Sequence, residues 1–457
     1  MIRPPPPSLV RAPWRDPAQV ACAFAEEPFA LALLSDGRPG ARWSYLARAP
    51  AQTFIAVPQD GSDILGELRA ALGLPRSLHP GGPPFQGGLA GLACYELGER
   101  IDPMGLARRA GWPDLACGLY EQVLAFDHVR QEVLAIGPDA ARAEQTLAWM
   151  EAKPAASASP FAAGPLQAPA PSIHARAVAA VMDRIAAGEI FQANVARAWR
   201  GVLAPRSHPF DLAARLARTS PAPYAAYLRL PRLALVSNSP ERFLSVRPAA
   251  GGLVAETRPI KGTTPRGGDP ALDARLAAAL AASEKDRAEN LMIVDLMRND
   301  LARVSRPGSV RVPALFDVER FANVSHLVST ITADLTADAS ALDLFAAAFP
   351  PGSVTGAPKR QAMKVIADYE APRGPFFGSL FWAGFDGAFD SSVLIRAVAF
   401  EMTAEGWALE ARAGGGIVAD SDPQAEVAET DAKIAAILGA LTATEENRID
   451  VLRVEAG

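Results

Sequence analysis

The sequence predicts an α+β fold whose sheets are mostly antiparallel. Strand-like segments occur in adjacent pairs joined by turn residues, as at 224–230 and 233–238, and helices fall between such blocks. A regular succession of one strand and one helix, which would indicate a parallel sheet, is missing. The Gly-x-Gly-x-x-Gly fingerprint of a dinucleotide-binding unit is missing too.

The composition is that of a globular protein with a large core, since 49% of the 457 residues are hydrophobic and 21% are charged. A net charge of −5 without any basic run disfavours nucleic acid as a partner. No apolar run reaches the ~18 residues of a membrane span, and residues 1–7 lack the apolar core of a signal peptide. Three widely spaced cysteines indicate a reducing compartment. We therefore expect a cytoplasmic protein that binds neither nucleic acid nor membrane.

The first third of the chain mixes strands with helices. Alternating apolar residues predict strands at 42–47 and 122–129, and an amphipathic helix is predicted over 63–72, ended by Gly73. The glycine-dense apolar segment at 85–95 predicts tightly packed strands. A phosphate-binding loop is disfavoured there because no Gly-Lys-Ser/Thr follows.

A change of composition divides the chain. Residues 152–172 are rich in alanine, serine and proline, which predicts a linker between a region over 1–151 and a second region over 173–457. The second region opens with an amphipathic helix over 173–187 and a strand over 190–197. A further helix and a proline-rich turn follow, over 211–219 and 220–223.

Lys261 is a candidate nucleophile because of its neighbours. Pro259 interrupts the strand ladder, and Gly262 allows a close approach of the backbone. A lysine on such a stiff, turn-bounded segment loses less entropy when it is aimed at a substrate. The alternative is a solvated lysine on a surface turn.

Carboxylates lie on two predicted helices. The helix over 283–301 has Ser283 as its N-cap and apolar residues on every side, which predicts burial and places Glu289 on an apolar face. The alternative for Glu289 is an internal salt bridge to Arg287 or Arg298.

The second helix begins at Pro423, after three glycines at 414–416 that let backbone amides approach a ligand. Glu426 and Glu429 share one face, and Lys433 lies one turn beyond Glu429. A surface helix with an ion pair is the alternative. If the carboxylates of both helices meet, they suit Mg²⁺, whereas the scattered histidines argue against zinc.

These motifs together resemble the chorismate-utilising enzymes, a family that includes anthranilate synthase component I, aminodeoxychorismate synthase component I and the isochorismate and salicylate synthases. The resemblance covers roughly residues 175–440 in order. It implies two large, mostly antiparallel β-sheets packed as a sandwich with helices outside. Residues 173–457 would form the chorismate-binding catalytic domain, and 1–151 the N-terminal region of the same fold. The motifs lie at 190–194, 239–243, 258–263, 286–289, 298–301, 352–359, 395–396 and 414–433.

The resemblance also implies roles for individual residues. Glu289 and Glu429 would hold Mg²⁺, with Glu426 close by through water, and the metal would bind the ring carboxylate of chorismate. Glu241 matches the general acid that assists loss of the C4 hydroxyl. The remaining matches would bind substrate: Arg396 with the amides of Gly414, Gly415 and Gly416 at the enolpyruvyl carboxylate, His326 and Ser353 along the ring, and Lys433 as a tether.

Two positions distinguish members of the family. Isochorismate and salicylate synthases carry a lysine where this chain has Gln192, so water addition is disfavoured here. Anthranilate synthases carry a sequence similar to Pro-Ile-Ala-Gly-Thr here, with alanine at the position of Lys261. A lysine there is the pattern of aminodeoxychorismate synthase component I, in which the amine attacks C2 and ammonia then adds at C4 to give 4-amino-4-deoxychorismate. Anthranilate synthase component I is the alternative, and a catalytically silent binding subunit is another.

The resemblance implies a partner and contains one departure. No glutaminase nucleophile is present, so ammonia would come from a separate glutamine amidotransferase subunit or from free ammonium. Phe376 replaces a tyrosine whose hydroxyl would contact the enolpyruvyl carboxylate. Residues 34–35 and 221–224 compare loosely with a tryptophan site of relatives, and we expect them to serve in packing.

Overall fold

The computed structural model describes residues 5–38, 40–152, 163–267, 269–320 and 324–442. Within these ranges, two large sheets are packed face to face and helices cover their outer faces. All the strand pairs recorded are antiparallel, as at β-hairpins throughout the chain. The predicted α+β sandwich is confirmed.

The first sheet has eleven strands in the described residues. Their order across the sheet is β1 (Ser8–Pro13), β8 (Glu132–Gly137), β7 (Val123–Asp127), β3 (Trp43–Ala47), β2 (Leu31–Leu34), β10 (Tyr224–Leu230), β11 (Leu233–Ser239), β20 (Ala397–Thr403), β21 (Gly406–Ile417), β9 (Gln192–Val202) and β17 (Gly356–Ala357).

The second sheet has ten strands in the same part of the chain, and β15 (Arg311–Arg320) pairs with β16 outside the main path. The order along that path is β14 (Ile260–Pro265), β16 (Val324–Asp334), β13 (Gly252–Thr257), β12 (Arg242–Ala249), β19 (Phe389–Val393), β18 (Ser379–Gly384), β5 (Gly88–Ala93), β6 (Leu115–Tyr120) and β4 (Gln52–Ala56).

The helices predicted over 63–72, 173–187, 211–219, 283–301 and from Pro423 are present, with ends close to the predicted positions. Asp63 caps the second of them by accepting from the amide of Gly66 at 3.0 Å, and Gly73 ends it with a φ of 64°. No helix of the described residues is long and apolar enough to cross a membrane. The helices are α1 (Pro17–Cys22), α2 (Ile64–Leu72), α3 (Leu97–Ile101), α4 (Ala140–Leu147), α5 (Pro171–Ala186), α6 (Pro209–Thr219), α7 (Pro270–Ala282), α8 (Glu284–Ala302), α9 (Ala341–Ala348), α10 (Lys359–Tyr369) and α11 (Pro423–Thr442), with short 3₁₀ helices at Ala148–Glu151 and Gly352–Val354.

The main core lies between the two sheets. It joins side chains of the first sheet, such as Leu31 and Leu235, to side chains of the second, such as Phe54 and Leu89. A second cluster fills the space between the outer face of the first sheet and its helices, including Phe210 of α6. Burial of these apolar surfaces is the main force that holds the layers together.

Strands from both sides of the predicted linker are interleaved in each sheet. In the first sheet β2 pairs with β10, and in the second β5 pairs with β18. Part of the linker, residues 153–162, lies outside the described residues. Beyond it, Gln167 forms a bridge to Arg200 in β9, and Ala163 forms one to Leu203, directly after that strand. The division into 1–151, 152–172 and 173–457 stays a prediction.

The prediction that α8 is buried on every side is wrong. Ser283 does cap the helix, accepting from the amide of Asp286 at 3.2 Å, and Ile293 and Met297 pack into the core. Leu291, however, is 44% exposed. The helix lies on the outside of the second sheet, so no further layer covers the face that carries Leu291.

Candidate active site

A cavity of about 570 Å³ lies between the β9–β21 edge of the first sheet and the β14–β16 edge of the second. Helices α8 and α11 supply two of its walls. All the predicted site residues except Gly415 line this cavity, although they come from segments far apart in the chain. They are Glu241, Lys261, Glu289, His326, Ser353, Arg396, Gly414, Gly416, Glu426, Glu429 and Lys433.

Lys261 extends into the cavity from β14, and its Nζ lies 3.5 Å from Oε2 of Glu289. The two side chains are 14% and 15% exposed. The ladder of strands is interrupted between β13 and β14, at the position predicted from Pro259. It resumes with Ile260 opposite Val328, and Lys261 follows opposite Leu327. The interpretation of Lys261 as a solvated lysine on a surface turn is therefore wrong, and so is a salt bridge of Glu289 to Arg287 or Arg298.

Gly262 produces the bulge that aims Lys261. Its φ is 79°, a backbone conformation that residues with a side chain rarely adopt. The register of β14 against β16 shifts at this residue. A Cβ here would lie 2.7 Å from Cδ1 of Leu280 and 2.9 Å from Cγ of Asp286. Because glycine leaves that space, helices α7 and α8 approach the strand closely enough for Glu289 to meet Lys261.

Glu241 is buried, with 5% of its surface exposed, between β11 and β12. Burial raises the pKa of Glu241 to about 7, although a hydrogen bond with Ser353 and the charge of Lys261 act in the opposite direction. The backbone is fixed by the amide of Glu241, which donates to Oγ of Ser239 at 3.1 Å. A carboxyl group with this pKa carries a proton to donate in about half of the molecules at pH 7.

His326 lies opposite Thr263 in the β14–β16 ladder, and its Nδ1 is 2.8 Å from the hydroxyl oxygen of Thr263. Burial, and to a smaller extent the nearby charge of Arg396, lowers the pKa of His326 to about 4. The imidazole is therefore neutral and forms part of the wall instead of adding charge.

Arg396 is a partly buried cation of this cavity. In the described part of the chain no carboxylate or other acceptor pairs with its guanidinium, and burial lowers its pKa. Its carbonyl accepts from the amide of Asn238 at 2.9 Å, which holds the residue at a φ of 51°. A partly buried guanidinium without a counterion gains from an anionic ligand, and its planar donors suit a carboxylate.

Two acidic side chains of α11 approach the glycines of β21. A Cβ on Gly415 would lie 2.6 Å from Oε2 of Glu426 and 3.6 Å from Oε1 of Glu429. Lys433 pairs with Glu429 and donates to the carbonyl of Gly414 at 2.9 Å. Burial acts to raise the pKa of Glu429, but the attraction of Lys433 leaves it below its ordinary value. Lys433 thus ties the helix to β21.

The predicted magnesium ligands all line the cavity, but their side chains do not converge on one point. Among the described residues no three His, Cys, Asp or Glu side chains converge closely enough to hold a metal ion. Oε2 of Glu426 is nevertheless a buried oxygen without a hydrogen-bond partner, and burial and the charge of Glu429 raise the pKa of Glu426. Carboxylate oxygens of this kind fit a hard cation such as Mg²⁺. The assignment of Glu289, Glu426 and Glu429 as ligands stays a prediction.

Comparison with known proteins decides the family. A family model described as chorismate binding enzyme matches residues 31–439. The chain belongs to this family. It is 39% identical over 456 residues to a protein of Klebsiella aerogenes named aminodeoxychorismate synthase component 1, covering 94% of this chain and 98% of the relative.

Two anthranilate synthases are similar as well. The chain is 37% identical to anthranilate synthase component 1 of Streptomyces coelicolor, covering 89% of this chain and 82% of the relative. The crystal structure of anthranilate synthase component I from Streptococcus pneumoniae matches with a TM-score of 0.74 at 27% identity, covering 88% of this chain and 93% of that one. The family alignment crosses the predicted linker, so the chorismate-binding fold uses strands from both regions.

Phe376 of this chorismate-binding enzyme lies behind the cavity. The ring is 1% exposed and packs below the guanidinium groups of Arg109 and Arg412, whereas its neighbour Phe377 lines the cavity. The sequence predicted that the hydroxyl missing at Phe376 would otherwise contact the enolpyruvyl carboxylate of the substrate. In this structure the Phe376 ring contacts Arg412, which itself lines the cavity.

The residues compared with a tryptophan site line a different cavity. Leu34, Pro223 and Tyr224 belong to a pocket of about 180 Å³ between the sheets, whose polar wall includes Arg242 and Asp390. Arg242 makes two contacts of 3.2 Å with Asp390. The residues at these positions therefore line a pocket, so packing in the core is not their only role.

Sequence reasoning missed several cations of the cavity of this chorismate-binding enzyme. Lys285 in the first turn of α8 and the arginines at 373 and 412 also line it. Arg373 pairs with Glu370 at 2.9 Å. The signal available for Arg412 was its place two residues before Gly414 on the same strand. The cavity lining thus carries lysines and arginines beside its carboxylates, in a protein whose net charge is −5.

Proposed function

We propose that this protein is the chorismate-aminating component of an aminodeoxychorismate synthase, which converts chorismate and ammonia into 4-amino-4-deoxychorismate and water. The observation that carries the proposal is the position of Lys261, whose amine enters the same cavity as Glu241 and Arg396. The name of the Klebsiella aerogenes relative, which covers nearly the whole chain, supports it.

In this mechanism, Lys261 acts as the nucleophile and Glu241 as the acid. A bond forms between Nζ and C2 of the ring while the C4–oxygen bond breaks, and the proton of Glu241 goes to the departing oxygen, so that water leaves. Ammonia then adds at C4, and the bond between C2 and Nζ breaks as the ring double bonds return. The covalent route replaces one difficult displacement by two easier ones.

The other residues position the substrate. Arg396 would bind the enolpyruvyl carboxylate together with backbone amides of Gly414–Gly416, and His326 and Ser353 would border the ring. Glu289, Glu426 and Glu429 would hold Mg²⁺, which when bound supplies positive charge for the ring carboxylate. The relatives' designation as component 1 supports a separate glutamine amidotransferase component as the source of ammonia.

Anthranilate synthase component I is the second candidate, and the relative in Streptomyces coelicolor favours it. The two functions differ in the carbon that receives nitrogen and in whether pyruvate is lost. They therefore give different products from the same substrates.

The decisive experiment incubates the purified protein with chorismate, Mg²⁺ and ammonium and identifies the product by chromatography and mass. We expect 4-amino-4-deoxychorismate; anthranilate would overturn the proposal in favour of the second candidate. Binding of chorismate without turnover would leave only a silent binding subunit.

The Lys261→Ala variant tests the covalent step. We expect it to lose formation of 4-amino-4-deoxychorismate or to divert it toward anthranilate, because no amine remains to attack C2. Intact-mass analysis of the wild-type protein with chorismate in the absence of ammonium should detect an adduct that the variant lacks. Wild-type activity in Lys261→Ala would contradict the covalent role.

A further inference from the structure

Arg373 is a cation of the cavity wall whose donors are almost all bonded to the protein itself. Nε and Nη2 bond the carboxylate of Glu370 at 3.1 and 2.9 Å, Nη1 bonds the carbonyl of Val354 at 2.9 Å, and Nη2 also bonds the carbonyl of Asn194 at 2.6 Å. These contacts use four of the five N–H donors of the guanidinium. The residue is 2% exposed, and its guanidinium lies over two aromatic rings at 4.6 and 4.5 Å. The protein itself therefore fixes the orientation of this guanidinium.

The two carbonyls that Arg373 bonds belong to different segments of the wall. Val354 ends a short 3₁₀ helix, whereas Asn194 lies in β9. Beyond Val354 the backbone reaches β9 directly, since the carbonyl of Thr355 accepts from the amide of Asn194 at 2.8 Å and β17 continues the pairing. The carbonyls of Val354 and Asn194 cannot bond each other, because both are acceptors. Arg373 supplies the donors between them, so it extends the contact with β9 by one residue toward Ser353.

Ser353 lies next to this bridge and hydrogen-bonds the carboxyl group of Glu241. The backbone of Glu241 is held independently, since its amide donates to Oγ of Ser239 and its carbonyl accepts from the amide of Val393, both at 3.1 Å. The carboxyl and the hydroxyl are therefore carried by separately anchored segments. How closely they meet depends on what holds the segment of Ser353, and Arg373 is a side chain that joins this segment to β9.

We propose that Arg373 is a positioning residue of this enzyme: its bridge between the two carbonyls holds Ser353 against Glu241, and its guanidinium does not bind the substrate. The inference rests on the proposed function, in which Glu241 is the acid. Arginine suits this role because its planar fork can bond two carbonyls and a carboxylate at fixed angles, for which the compact ammonium of lysine is not shaped. The substitution Arg373→Lys therefore loosens the bridge and keeps the positive charge beside Glu370.

The first test follows the protonation of Glu241 in the substrate-free protein. Carbon NMR of ¹³C-labelled glutamate carboxyls provides the titration, and the signal that Glu241→Gln lacks identifies the residue. The charged groups that face this carboxyl, Lys261 of β14 and Lys433 of α11, are unchanged in Arg373→Lys. The hydrogen bond from Ser353 favours the carboxylate, so loosening it raises the pKa of Glu241. We expect Arg373→Lys to move the titration midpoint to higher pH, as Ser353→Ala does.

A double variant decides whether Arg373 acts through Ser353. If it does, Arg373→Lys should move the midpoint of Glu241 in the otherwise wild-type protein and leave it in place in the Ser353→Ala background. Equal shifts in both backgrounds, or no shift in either, would overturn the proposal. The titration is measured without substrate, so its result is independent of the product that the enzyme forms.

The matched control is Arg100→Lys, which lies outside the cavity. Arg100 likewise bonds carboxylates and backbone carbonyls, including Asp114 at 3.0 Å and the carbonyl of Ser62 at 3.1 Å. We expect both lysine variants to lower the thermal midpoint of unfolding, but only Arg373→Lys to move the titration of Glu241. A shift of equal size in Arg100→Lys would mean that general loosening of the fold is the cause, and the proposal would be wrong.

Binding of chorismate separates positioning from substrate binding. By calorimetry without ammonium, Arg373→Lys should keep a dissociation constant within about twofold of the wild type, whereas Arg396→Lys should bind about tenfold more weakly, because that guanidinium is assigned to a substrate carboxylate. An equal loss of affinity in Arg373→Lys would overturn the proposal.

A crystal structure of the wild-type protein with bound chorismate needs no variant, so it tests the proposal even if Arg373→Lys does not fold. With chorismate in the cavity, the guanidinium of Arg373 should still bond the carbonyls of Val354 and Asn194. A guanidinium that leaves either carbonyl to bond the substrate would refute the positioning role.

Discussion

Glu241 gives the sharpest prediction about catalysis. An ordinary glutamic acid with a pKa of 4.5 is protonated in only about 0.3% of molecules at pH 7. Burial raises the pKa of Glu241 to about 7, so about half of the molecules carry the proton at neutral pH. Above that pH the protonated fraction falls about tenfold per pH unit. Formation of the Lys261 adduct should therefore lose rate on the alkaline side of pH 7.

The assay measures adduct formation by intact mass in single turnovers without ammonium, because the supply of free ammonia itself changes with pH. The alkaline limb should be centred near the pKa of Glu241, which is about 7. Glu241→Gln, which cannot donate that proton, should be slower by about 10²–10⁴-fold.

A second variant assigns the limb to Glu241. The hydrogen bond from Ser353 lowers the pKa of Glu241 by favouring its charged form. Ser353→Ala should raise that pKa and move the alkaline limb to higher pH. A limb that stays in place in Ser353→Ala, or that persists in Glu241→Gln at the wild-type rate, would refute the reasoning.

Two further predictions concern the metal and the strand. Glu289→Gln should raise the Mg²⁺ concentration for half-maximal activity on the order of tenfold, since a carboxylate ligand is lost; an unchanged metal titration would contradict its assignment. Gly262→Ala should cost about 1–3 kcal/mol in the free energy of unfolding, because its φ is 79° and Leu280 and Asp286 leave no room for a Cβ. Gly267→Ala, with no atom within 4 Å of its Cβ position, is the control in denaturant unfolding. If the two variants were equally stable, a side chain at position 262 would cause no strain, and the prediction would be wrong.

Local chemistry made much of the fold predictable. Ser283 and Pro423 start their helices as predicted because capping and the missing amide of proline act within one turn. Pro259 and Gly262 interrupt the strand for equally local reasons. Local sequence patterns could not predict the order of the strands in the sheets, because pairs such as β5 and β18 join segments far apart in the chain.

The sequence by itself determined the fold class, the family and the residue types of the site, because motifs, caps and turn residues act over short distances. Only the tertiary structure decided that Lys261 meets Glu289, that Glu241 is buried against Ser353, and that one face of α8 stays exposed. Burial and charge pairing depend on neighbours that folding brings together, and no spacing along the chain encodes them.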